Sequence, residues 1–126
     1  MAEPEEPQQA TARLDSIRRD LAVLCRRSRA RVLGWPCDWR PRAVVDPRDP
    51  DQQVFTEVGA WEFIAELLES GNEIQEIELD NPRGKTGYVI LASGGAQRLD
   101  IYIKLQLGNG AVIGRSFHYS EKGQRQ

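Results

Sequence analysis

The chain has 126 residues, a formal net charge of −2 at pH 7, 40% hydrophobic residues, two cysteines and one histidine. That length suits one domain with a modest core, and no run of about 18 apolar residues is present to span a membrane. Two cysteines and one histidine are too few for an internal zinc or iron–sulfur site, so no metal and no cofactor are expected, and Cys25 and Cys37 are expected as free thiols.

Residues 1–10 are acidic and proline-bearing where a secretory signal would be basic and then apolar, which predicts a disordered tail and a cytoplasmic location. From Thr11 the pattern changes. Leu14, Ile17, Leu21, Leu24 and Ser28 recur at helical spacing, predicting a helix that runs to about Val32 with Arg18, Arg19, Arg26, Arg27 and Arg29 off its apolar seam. The seam is short for a coiled coil, so this helix is expected to dock within the fold or on a partner. Gly34 is predicted to end it and to open a proline-rich linker that lasts to residue 53. Trp35 and Trp39 in that linker either pin it to the body or stack on bases.

A second helix is predicted from the cap residue Thr56, with Glu57 in its first turn and Gly71 at its stop. Its buried stripe is Trp61, Ile64, Ala65 and Leu68, and Glu62, Glu66 and Glu69 form a wet outer face. Strands are predicted over residues 73–79 and 86–92, joined by the turn Asn81-Pro82-Arg83-Gly84-Lys85 with its two cations. The Gly-Lys-Thr there lacks the upstream glycine and the strand–loop–helix setting of a phosphate-binding loop, which argues against a nucleoside-triphosphate site. Charge is segregated along the chain. Residues 51–80 hold nine carboxylates and no Lys or Arg, whereas residues 81–126 hold seven Lys or Arg against two carboxylates. This predicts a basic sheet beside an acidic helix, able to attract a polyanion, or else two solvated faces.

Residues 99–120 read as a hairpin. Leu99, Ile101, Ile103, Leu105 and Leu107 alternate with Asp100, Tyr102, Lys104 and Gln106. A three-residue turn Gly108-Asn109-Gly110 would pair Leu107 with Ala111, Tyr102 with Ser116 and Asp100 with His118. Tyr102, Lys104, Ser116 and His118 then share one face, and Leu99, Ile101, Ile103, Ile113, Phe117 and Tyr119 the other. Arg115 fits this register badly, falling on the apolar face unless a bulge re-aims it or its guanidinium reaches the sheet edge. A two-residue Asn109-Gly110 turn is the alternative, but it would set Lys104 against Arg115. The expected fold is α+β: an N-terminal helix and linker, then one helix packed on a four-stranded antiparallel sheet over residues 54–120, with 121–126 as a tail.

A tyrosine, a lysine, a serine and a histidine on an open strand face suit metal-free cleavage of RNA through its 2′-hydroxyl. His118 would move the proton, Asp100 would orient it, and Lys104 or Arg115 would hold the phosphate. The plain alternative is that His118 is a polar strand residue. The run Ile101-Tyr102-Ile103-Lys104-Leu105, a short turn, Val112-Ile113 and Ser116-Phe117-His118 resembles the C-terminal hairpin of the motility quorum-sensing regulator (MqsR) family, mRNA-cleaving toxins with a RelE-like fold. The resemblance places the family's catalytic tyrosine on Tyr102 and its terminal lysine on His118, with Lys104 as a further catalytic residue. Arg115, Ser116, Lys85 and Arg83 are the candidate substrate-binding residues. It implies RNA as substrate and a cognate antitoxin protein covering the basic face. The alternative from another class is a non-catalytic binding module whose N-terminal helix recruits a protein.

Overall fold

A computed structural model describes residues 4–120, so residues 1–3 of the expected N-terminal tail and the whole expected C-terminal tail, 121–126, lie outside the described residues. The first helix, α1, spans Pro7–Cys25. It starts earlier than expected because Pro7 occupies the first turn, where a missing N–H is harmless, and because the Glu6 N–H donates to Gln9 Oε1 at 3.3 Å. It also ends earlier. After Cys25 the chain tightens into a short 3-10 turn, Ser28–Ala30, and Arg31–Trp39 continues as a strand, β1, so Gly34 lies inside a strand and does not stop a helix.

The second helix, α2, spans Glu57–Glu69 and begins and ends as its sequence demands. Thr56 Oγ1 accepts the Gly59 N–H at 2.9 Å, and Gly71 takes a left-handed φ of +82° after the last turn. Trp61, Ile64, Ala65 and Leu68 are buried as predicted, joined by Ala60 and Phe63. Leu21, Ala22 and Cys25 of α1 join α2 in one core.

Four further strands follow: β2 (Gln75–Glu78), β3 (Thr86–Ala92), β4 (Ile101–Leu107) and β5 (Val112–Tyr119). They form the expected antiparallel meander, but the sheet has five strands in the order β1-β5-β4-β3-β2, with β1 parallel to β5. The expected four-stranded antiparallel sheet is thus corrected to a five-stranded mixed one. Without β1, the outer backbone groups of β5 would form an open edge with unpaired donors and acceptors. The pairing is interrupted: Leu33 aligns with Gly114 and Asp38 with Ser116, and the segment Gly34-Trp35-Pro36-Cys37 bulges out between them. Pro36, which has no N–H for a ladder, sits in this bulge.

The hairpin register also differs from expectation. Gly108 N–H donates to the Ala111 carbonyl at 2.8 Å, which makes Asn109-Gly110 the central pair of the turn and aligns Leu107 with Val112 and Leu105 with Gly114. A bulge at Arg115 then shifts β5 by one residue, so Lys104 meets Ser116, Tyr102 meets His118 and Ile101 meets Tyr119. The turn is the two-residue one, and the bulge removes the Lys104–Arg115 clash that told against it. Ile101, Ile103, Leu105, Val112 and Phe117 point into the core, while Ile113, ahead of the bulge, stands opposite Gln106 on the other face. Leu99 precedes the strand and is 55% exposed instead of covered.

Folding offsets part of the charge segregation seen along the chain. Arg26 pairs with Glu69 and Arg13 with Glu76, each at 2.7 Å, and Arg48 pairs with Glu66. Arginines from the first 50 residues thereby pair with three of the nine carboxylates in the acidic stretch. Among the described residues no helix is long and apolar enough to cross a membrane.

Candidate functional site

The face of the sheet turned away from the helices brings Tyr102 and Lys104 of β4 beside Ser116 and His118 of β5. The four residues share this face as the alternation predicts, although their cross-strand partners are those of the bulged register. The Tyr102 and His118 rings stack, with centroids 5.4 Å apart and planes inclined by 21°. Burial holds the Tyr102 hydroxyl above the usual tyrosine range, so it is a proton donor at neutral pH. His118 Nδ1 lies 2.7 Å from the Tyr119 carbonyl. A carbonyl only accepts, so Nδ1 carries the hydrogen and Nε2 is the nitrogen that exchanges a proton.

The carboxylate at that nitrogen is Asp38, whose Oδ2 is 3.4 Å from Nε2. Asp100, expected opposite His118, is not aligned with it. The one-residue shift at Arg115 sets Tyr102 opposite His118, and Asp100, just outside β4, accepts the Ser120 N–H on its own carbonyl at 2.7 Å. Asp38 arrives from β1, where it aligns with Ser116 and also pairs with Arg40. Reasoning from sequence missed it because its stretch has no strand period and its partner strand lies some 80 positions further along the chain.

A cavity of about 340 Å³ adjoins the pair through Asp38, Lys104 and Ser116, while Tyr102 and His118 themselves do not line it. Lys104, Arg115 and Ser116 line it from the sheet, Pro36, Cys37 and Asp38 from β1, and Leu79, Asp80 and Asn81 from the chain after β2. Lys104 makes no ion pair among the described residues. The cavity is charge-mixed, since Asp38 and Asp80 share it with Lys104 and Arg115.

Arg115 is only 7% exposed and is directed at the protein. Its Nε and Nη2 donate to Gln106 Oε1 at 3.0 and 2.8 Å, and Nη1 donates to the carbonyls of Gly34 at 2.7 Å and Pro36 at 3.4 Å. It therefore bolts the β1 bulge to the hairpin. Lys85 is not brought to the site. It lines a separate shallow depression with Glu76 and Glu78 near the β2–β3 turn, and Arg83 is part of the same turn.

The two linker tryptophans separate. Trp39 is a pin, its ring 4.9 Å from Trp61 and 5.5 Å from Phe117, with Nε1 donating to Glu57 at 3.2 Å. Trp35 is 77% exposed. Among the described residues no three His, Cys, Asp or Glu side chains converge on a point where a metal would sit. Protein-family models, curated proteins and solved structures give no match to this chain.

Proposed function

We propose that this chain is a metal-independent endoribonuclease built on a RelE-like plan, a toxin whose activity an antitoxin protein would hold in check. The observation that carries the reading is the stacked Tyr102–His118 pair, with Asp38 at Nε2 and Lys104 in the adjoining cavity. In the proposed reaction His118 Nε2 takes the proton of the ribose 2′-hydroxyl as that oxygen attacks phosphorus. The bond to the 5′-oxygen breaks, Tyr102 supplies the proton that oxygen needs, and a 2′,3′-cyclic phosphate and a 5′-hydroxyl result. Lys104 offsets the charge that builds on the phosphorane, and Asp38 stabilises the imidazolium formed at His118. Tyr102 then recovers its proton from the imidazolium or from water.

A second reading, a non-catalytic binding module on the same fold, is favoured by one observation: the His118 side chain is only 13% exposed. The two are separated by cleavage of a labelled single-stranded RNA in EDTA. Wild type should cut, and His118→Ala and Tyr102→Phe should each lose on the order of 10²-fold, the usual contribution of a positioned acid or base. No cutting by wild type, or cutting by both variants at the wild-type rate, selects the binding module.

A further inference from the structure

Trp35 is a large apolar side chain left almost wholly in solvent. Its backbone is nevertheless fixed, because the buried Arg115 guanidinium grips the carbonyls on either side of it, those of Gly34 and Pro36. The backbone on both sides of the indole therefore loses little freedom when something lies against the ring. Pro36, next in the chain, lines the cavity beside His118, and Asp38, three residues on, touches the His118 ring. Three residues of chain reach at most roughly 11 Å, so the Trp35 backbone lies within that distance of the candidate reaction centre, and its indole stands outside the cavity lining, next to Pro36.

The charges of the cavity point the same way. Asp38 and Asp80 stand there against Lys104 and an Arg115 already bonded to the protein, so phosphate attraction alone holds a nucleic-acid strand weakly. A neutral aromatic face supplies affinity that those carboxylates do not oppose, and it accepts any unpaired base. A duplex keeps its bases stacked on each other and offers no free face. We propose that Trp35 is a base-stacking platform that selects single-stranded RNA for the cavity beside His118, an inference that rests on reading that cavity as an RNA site.

The test titrates the full chain with a single-stranded RNA oligonucleotide bearing 2′-O-methyl groups, which lack the nucleophile, alongside the same sequence as a duplex and a copy with abasic positions. Anisotropy of a label on the oligonucleotide reads affinity. Tryptophan emission reads contact, since Trp39 and Trp61 stack on each other in the interior and Trp35 supplies the exposed indole. The single strand should quench the emission and bind wild type about tenfold more tightly than Trp35→Ala, with Trp35→Phe in between, and the abasic strand and the duplex should bind wild type as weakly as Trp35→Ala binds the intact strand. Equal binding by wild type and Trp35→Ala without quenching overturns the platform and leaves the RNA site standing. Absence of single-strand binding by wild type overturns the RNA reading and the platform with it.

Discussion

At the scale of single residues, the two cysteines have opposite environments. Burial pushes the Cys25 thiol up to about 12, whereas Cys37 is half-buried and lines the cavity next to Asp38. Thiolate is the reactive form, so iodoacetamide at pH 8 should label Cys37 and spare Cys25 until the protein is denatured, as peptide mass mapping would show. Labelling of both in the native protein would contradict the packing of α1 on α2. Asp38 is the other residue with a sharp consequence. If it stabilises the imidazolium, Asp38→Asn should retain RNA binding and cut more slowly than wild type but faster than His118→Ala, in single-turnover assays at saturating enzyme. An Asp38→Asn variant that cuts at the wild-type rate would remove Asp38 from the reaction.

The bulged segment of β1 is the element on which the site depends. A Cβ on Gly34 would lie 2.5 Å from Ile113 Cγ2 and 2.8 Å from Arg115 Cζ, and the guanidinium is held by Gln106 and two carbonyls, so it cannot easily retreat. Gly34→Ala should therefore destabilise by about 1–3 kcal/mol, the range for an overpacked interior, measured as a lower urea midpoint with unchanged slope. An unchanged midpoint would show that the bulge is soft. The same element explains what sequence patterning misjudged. Residues 31–39 contain Gly34 and Pro36, which blank out any strand period, and their hydrogen-bonding partners are on β5. The hairpin was half legible. Alternation correctly put Tyr102, Lys104, Ser116 and His118 on one face, but the bulge that aligns Tyr102 with His118 comes from Arg115 reaching carbonyls in β1, a contact with no local signature.

For the molecule as a whole, α1 is tied down partly by charge. The Arg13 guanidinium holds Glu76, and the Arg26 guanidinium holds Glu69, below the ordinary glutamate value of 4.5. Carboxylates depressed in the folded state contribute stability that is present above about pH 4.5 and is lost as pH falls through their lower folded values. Thermal unfolding followed from pH 7 to pH 3 should show the midpoint falling through that window. Because these pairs are exposed, high salt should shrink the fall, and a midpoint flat in pH would mean that they contribute nothing.

What the chain determines by itself is what neighbouring residues can decide: the cap at Thr56, the stop at Gly71, the buried stripe of α2, the strand at 86–92 and the alternation of β4. These rest on spacing and on φ preferences within a few residues, and no distant contact is needed to read them. Only the tertiary structure decides that a proline-broken stretch becomes the fifth strand, that a bulge at Arg115 stacks Tyr102 on His118, and that Asp38 stands at that histidine. Each depends on contacts between β1 and β5 or the Arg115 bulge, some 80 positions apart in the chain, where hydrogen-bond satisfaction at a sheet edge outweighs local propensity.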